Sequence, residues 1–153
     1  MSKGERPLAF WIIVVFLAIS IILLLLGQTM SVFQYDFTVS LGLQESADQV
    51  SDYGVQVNRA FGAGDTVVYV PLLIASLVGL WLRKRWSLVT TAAAAGVSAY
   101  WAVTIAFMMA FLAGVPGYSL QPGLEYYIFL GAFIVFGVWG IFYLIFRGDA
   151  LLR

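Results

Sequence analysis

Four long runs of this chain carry no charged residue in their interior: Leu8 to Gly27, Thr66 to Leu82, Leu88 to Leu112 and Tyr126 to Phe146. Each falls in the range of roughly 17 to 25 apolar residues that crosses a hydrocarbon core about 30 Å thick. In that solvent every backbone N–H and C=O must find a partner inside the protein, which leaves the helix as the fold for a run of this kind. The first run holds fifteen Leu, Ile, Val and Phe residues, enough to favour insertion by several kcal/mol at roughly −0.5 kcal/mol each near the centre. Lys3 and Arg6 precede it as the basic region of a signal peptide would, but the run is long and no A-x-A site follows, so it is predicted to remain as a span. The expected fold is an all-α integral membrane protein, a single domain over residues 1–153 with four transmembrane helices and an outer loop over about residues 28–65.

Charge placement orients the helices. Lys3, Arg6, Arg83, Lys84, Arg85, Arg147 and Arg153 fall on one side, while Asp36, Glu45, Asp48, Asp52, Asp65 and Glu125 face Arg59 alone on the other. The excess of Lys and Arg predicts that both termini are cytoplasmic, in a multi-pass protein of the cell membrane. Trp81 and Trp86 flank the basic turn, and Tyr118, Tyr126 and Tyr127 sit at the opposite interface, as belt residues do.

Composition narrows the chemistry. The 153 residues include no Cys and no His, which excludes thiolate and imidazole catalysis and the usual zinc and haem ligands. The formal net charge is zero, so nothing suggests nucleic acid as a partner. No cofactor is expected. The four runs contain no ionisable residue and no evident inverted repeat, which argues against a coupled transporter.

The third run carries small residues at a four-residue spacing, at Thr90, Ala94, Ser98, Ala102, Ala106, Ala110 and Gly114. Small side chains let helix backbones approach where lipid offers no hydrophobic drive, so this stripe predicts the hub of the bundle or a homodimer seam. Ala75, Gly79, Gly131, Gly137 and Gly140 are its expected counterparts. Pro71 should kink the second run near its outer end. Tyr69, Tyr100, Trp101, Thr104 and Trp139 place polar groups among apolar neighbours; each needs an internal partner or a ligand, and together they are the candidates for an apolar pocket suited to a lipid tail, isoprenoid or quinone.

Between the first two spans, "FQYDFTVSLGLQ" alternates apolar Phe33, Tyr35, Phe37, Val39, Leu41 and Leu43 with polar or small residues, a strand pattern. Residues 45–61 fit either a second strand or an amphipathic helix presenting Ala47, Val50, Tyr53, Val57, Ala60 and Phe61, with Ser46 and Gln49 placed as a capping box. Either arrangement predicts a small extracytoplasmic cap, and an exposed strand edge in it would accept a strand from another protein. This layout of a large first outer loop, a short basic turn and inner termini resembles that of claudin-like four-span proteins, which implies a structural or adhesive role. That family's W-x-x-L-W signature and loop disulfide have no match here, since the chain lacks Cys and its "GLW" at Gly79 to Trp81 lies at the inner end.

Tyr35-Asp36 and Gly62-Ala63-Gly64-Asp65 resemble the two motifs of intramembrane aspartyl proteases. The resemblance implies Asp36 and Asp65 as a catalytic pair sharing a proton. That family's P-A-L element is replaced here by Pro71-Leu72-Leu73. A cheaper reading makes Asp65 and Glu125 first-turn carboxylates of the second and fourth helices. Both helices begin on the outer face, so Asp36, Arg59, Asp65 and Glu125 are expected as an outer polar cluster, with Asp36, Asp65 and Glu125 either clasping Arg59 or holding a calcium- or magnesium-like cation. The leading expectation is a non-enzymatic membrane protein that binds a lipid, another membrane protein or a second copy of itself through its cap and bundle. The alternatives are a small membrane hydrolase using Asp36 and Asp65 and a claudin-like structural protein.

Overall fold

The computed structural model describes residues 6–152; Lys3 and Arg153, two of the charges used above for orientation, lie outside the described residues. Four helices are long and apolar enough to cross a membrane: α1 over Leu8–Phe33, α3 over Ala47–Trp81, α4 over Trp86–Leu112, and a fourth helical segment over Leu124–Leu152. The last consists of α5, Leu124–Arg147, and a closing 3-10 turn, Gly148–Leu152. A short helix, α2 over Tyr35–Ser40, follows α1. In the bundle α1 packs on α3, α3 on α4 and α4 on α5. Helices α1 and α5 meet through aromatic rings, Phe16 stacking on Phe136 at 3.5 Å and meeting Phe133 at 5.0 Å.

The cap differs from the expectation. No strand occurs among the described residues, so there is no strand edge to extend. The alternating segment forms the end of α1, then α2, with Thr38 buried and Phe33, Phe37 and Leu41 exposed. Alternation signals a strand when one face meets water, but a segment at a membrane boundary can turn apolar side chains outward into the interface. Residues 47–64 are helical apart from a break at Ser51, and past that break the helix runs on into the second span. Ser46 and Gln49 form the capping box at its start.

The N-terminus of α3 therefore lies at Ala47, and Asp65 is an interior residue of the helix instead of its first-turn cap. Two features mark the outer part of α3. Ser51 takes a left-handed, extended conformation (φ 65°, ψ 167°) that breaks the first turn. The helical phase slips there, and Tyr53, expected on the buried face, is 80% exposed. Farther on, Asp65–Tyr69 forms a π turn just ahead of Pro71. Pro71 lacks an N–H for the carbonyl of residue 67, and the widened turn takes up the misfit.

A second π turn, Leu25–Thr29 in α1, lies against the first. Gly62 makes that approach feasible, because a Cβ there would collide with the Gln28 carbonyl oxygen and the Ser31 hydroxyl. The Thr66 hydroxyl lies 2.7 Å from the Gly62 carbonyl oxygen and 2.9 Å from Thr29 Oγ1. One hydroxyl proton serves one acceptor, so Thr66 donates to the carbonyl and Thr29 donates to Thr66.

Toward the basic end the bundle is tighter. Of the α4 stripe, Ala94, Ser98 and Ala102 are buried, Thr90 and Ala106 half-buried and Ala110 exposed; Gly114 lies past the helix in a left-handed turn at φ 82°. Gly137 sits on the α4 backbone, where a Cβ would come within 2.8 Å of Ala99. The turn joining α3 to α4 closes through Lys84 N–H to the Gly79 carbonyl at 2.8 Å and Arg83 N–H to the Leu80 carbonyl at 3.1 Å, with Arg83 at φ 55°. That is the Schellman pattern with Arg in the usual glycine position. The Arg6 guanidinium lies 4.0 Å from the Phe10 ring centre and 4.9 Å from that of Trp81, and donates to the Trp81 carbonyl at 3.0 Å. Burial, and then the nearby Arg83, lower its pKa from the usual value.

Candidate functional site

At the acidic end, beneath the cap and between α1, α4 and α5, lies a cavity of about 320 Å³. Its apolar floor comes from Leu23 and Leu24 of α1, Ile105 and Met109 of α4, and Phe129 and Phe133 of α5. Its mouth is polar, with Gln28, Gln44, Glu45, Asn58, Tyr118 and Tyr126.

Glu45 joins four segments of chain. Its main-chain carbonyl accepts from the Tyr35 hydroxyl at 2.8 Å. Its carboxylate accepts from Asn58 Nδ2 at 2.8 Å and from the Tyr126 hydroxyl at 3.2 Å. Asn58 also donates to Tyr35 Oη at 3.0 Å, so both amide protons are used. Gln44 Nε2 donates to the Gly27 carbonyl at 3.2 Å, tying the loop before α3 to the π turn of α1. The loop after α4 is tied down as well, through Ser119 N–H to the Gln49 carbonyl at 2.8 Å and Ser119 Oγ to the Asp48 carbonyl at 3.0 Å.

Three polar atoms of the lining are buried without a hydrogen-bond partner in the protein: Gln28 Oε1, Trp101 Nε1 and Tyr118 Oη. Buried groups of this kind ordinarily find partners, and leaving one unmade costs about 1 to 3 kcal/mol. Burial raises the pKa of Tyr118 above the usual phenol value, with Glu45 and Tyr127 adding to the effect. Burial raises that of Tyr35 too, opposed by the hydrogen bond from Asn58 and helped by Glu45. Both phenols stay protonated at neutral pH and can donate.

The pocket candidates named from sequence separate. Trp101 lines the cavity, its ring edge-on to Phe129 at 6.2 Å. Tyr69 is buried elsewhere, its hydroxyl hydrogen-bonded to Ser98 Oγ between α3 and α4. Tyr100 is 73% exposed on the outside of the bundle. Thr104 is half-buried outside the cavity lining. Trp139 packs on Phe136 at 6.1 Å and Tyr143 at 5.4 Å, and lines an apolar groove between α1 and α5 nearer the basic end.

The outer polar cluster does not assemble as expected. Among the described residues no three carboxylates converge on a cation position. Asp36 is exposed on α2, Asp65 is 7% exposed in the π turn with Oδ2 unpartnered, and Glu125 lies at the cavity mouth, folded back over Gly123. No hydrogen bond joins Asp36 to Asp65 among the described residues, although a shared proton requires one. Arg59 donates to the Val32 carbonyl at 2.9 Å and to Gln56 Oε1 at 3.3 Å instead of clasping a carboxylate. The ion pair found among the described residues is Arg85 with Asp149 at 3.6 Å, on exposed side chains at the basic end.

Glu45, Asn58 and Tyr118 were the residues hardest to find from sequence. Glu45 read as one acid among several, and Tyr118 as a belt residue. The available signal was Asn58, a lone amide beside the apolar positions Val57 and Phe61.

No protein-family model, curated protein or solved structure matches the chain. The site has to be understood from its own chemistry.

Proposed function

We propose that this is a non-enzymatic, multi-pass protein of the cell membrane, with its basic end in the cytoplasm, that binds an amphipathic lipid-like molecule in the cavity beneath its outer cap. The observation that carries the reading is the combination in one cavity of an apolar floor and a polar mouth, with lining residues Gln28, Trp101 and Tyr118 each keeping a buried polar atom without a partner. A tail fits the floor and a head meets the polar mouth. Ligand sites generally have this mixture of broad apolar lining and a few convergent polar groups. The absence of Cys and His, and the separate settings of Asp36 and Asp65, support binding over catalysis.

The test is the native mass of the protein carried gently from its membrane into lipid nanodiscs. A stoichiometric small molecule is expected on the wild type and is expected to be lost from Ile105→Trp, which fills the floor. A bare wild-type chain, or equal occupancy in the filled variant, would overturn the reading.

A further inference from the structure

The charge of the cavity lining constrains what the head of such a molecule can be. Two carboxylates, Glu45 and Glu125, contribute to the lining, and no Lys or Arg does. Arg59, the basic residue of the acidic end, is occupied with Val32 and Gln56 outside the cavity. The Glu45 carboxylate is held only by neutral donors, Asn58 Nδ2 and the Tyr126 hydroxyl. A carboxylate offers about four acceptor positions, so it can take further donors. Its hydrogen bonds fix its orientation and leave its charge without a counter-charge. An anionic head placed there would meet like charge with no cation to offset it.

The aromatic lining adds to this selection. Trp101, Tyr118, Tyr126 and Phe129 border the same space, and aromatic faces attract ammonium groups. Trp101 N–H and Tyr118 O–H are donors with nothing to donate to, and an ammonium cannot satisfy them. An acceptor oxygen beside the charge would give the Tyr118 hydroxyl, which lies at the mouth with Glu45, a partner.

Resting on the lipid-binding reading above, we infer that the cavity selects an amphiphile with an ammonium head, an oxygen acceptor near the nitrogen and an apolar tail: the ammonium meets Glu45, the oxygen accepts from Tyr118 at the mouth, and the tail lies on the floor formed with Trp101, Met109 and Phe133. An ammonium with an oxygen two carbons away occurs in free amphipathic amino alcohols and, as the outer part of a zwitterionic head whose phosphodiester is set back from the nitrogen, in the ethanolamine lipids of a bilayer.

The experiment is competitive native mass spectrometry of the full chain in a neutral maltoside micelle, offered equal amounts of three single-chain probes of the same length: an N-alkyl ethanolamine, the alkyl alcohol and the alkyl phosphate. The ethanolamine probe is expected to be retained several-fold over the phosphate, since the half-buried Glu45 attracts the one head and repels the other. Equal retention of all three would overturn the ammonium inference and leave the lipid-binding reading standing. Retention of none would overturn both. Glu45→Gln is expected to lose the ethanolamine preference while still retaining the alcohol, which also reports an intact floor; a variant that keeps the preference would overturn the role given to Glu45. Because the wild-type ranking tests head chemistry without any mutation, a misfolded Glu45→Gln would not protect the inference. Repeating the wild-type measurement in nanodiscs of ethanolamine or glycerol phospholipids separates the two sources. A bound ethanolamine lipid assigns the ligand to the bilayer, and displacement of that lipid by the free probe assigns it to the aqueous side.

Discussion

The two ends of the bundle solve the problem of close packing in opposite ways. Away from the cavity, α4 and α5 are in direct backbone contact at Gly137, midway along α5, and at the basic end the α3–α4 turn closes on itself with the Gly79 and Leu80 carbonyls satisfied. Near the acidic end two helices widen into π turns and a cavity opens between α1, α4 and α5, with unpartnered polar atoms on its lining residues Gln28, Trp101 and Tyr118; the basic half has unpartnered atoms too, at Arg6 Nη1 and Thr91 Oγ1, but neither residue lines that cavity. The first arrangement gains dispersion contacts from small residues. The second forgoes contacts and leaves hydrogen-bonding capacity unused, which is the usual thermodynamic character of a place where something else binds.

The contrast can be broken most forcefully at Gly137. Gly137→Leu has to push α4 and α5 apart, and overpacking of that kind costs about 1 to 3 kcal/mol or more. The expected outcome is a strongly lowered midpoint in thermal or denaturant unfolding in detergent. Gly131→Ala on the same helix is the control, since its Cβ would meet nothing within 4 Å, and it is expected to be neutral or stabilising by up to about 1 kcal/mol. Equal sensitivity at the two positions would mean that the tight seam is not where the bundle is held.

Asp65 sharpens the comparison from the other side. A buried carboxylate without a counter-charge is costly, and an apolar residue of similar volume removes that desolvation cost. Asp65→Leu is expected to raise the unfolding midpoint. A fall of the size of a lost helix cap would show that the carboxylate serves the fold in a way its unpartnered oxygen does not suggest.

Ser51 occupies a backbone region used almost solely by glycine, a strain of about 1 to 3 kcal/mol. Ser51→Gly is expected to stabilise the cap by about 1 kcal/mol, read as slower amide exchange over residues 47–58, and to leave the basic end unchanged. The smallest effect is on pH dependence. The folded state holds the phenol protons of Tyr35 and Tyr118 more tightly than the unfolded chain does. Their contribution to stability is complete below the unfolded value of about 10 and is lost as pH rises through the higher folded values. Alkaline titration followed by amide exchange should loosen the cap before the bundle, and the Tyr35→Phe, Tyr118→Phe double variant should remove that step.

Much of the bundle was legible because hydropathy acts residue by residue: an uncharged run such as Trp86–Leu112 has few alternatives to a spanning helix. The cap was less so. Phe37 and Leu41 fit a strand when apolar residues are taken to mean protein contact, whereas in the fold both are exposed. Gly62 and Gly64 looked like the break before a helix, yet Gly62 allows α3 to touch α1 and the helix passes through both. The cavity was legible only at Trp101. Its other polar members come from α1, α3, α5 and two loops, and their meeting depends on tertiary structure that no local pattern records.

The length of α3 carries a mechanical consequence. Past the break at Ser51 it still runs from Asp52 to Trp81, about 45 Å of helix at about 1.5 Å per residue, against a hydrocarbon core of about 30 Å. The protruding arm is the main strut of the cap and brings Asn58 to Glu45 at the cavity mouth. Cap and span are thus two parts of one element, joined through the π turn at Asp65–Tyr69. A load on the cap that moves the arm displaces the mouth of the cavity directly, and reaches the seam with α4 only through that turn.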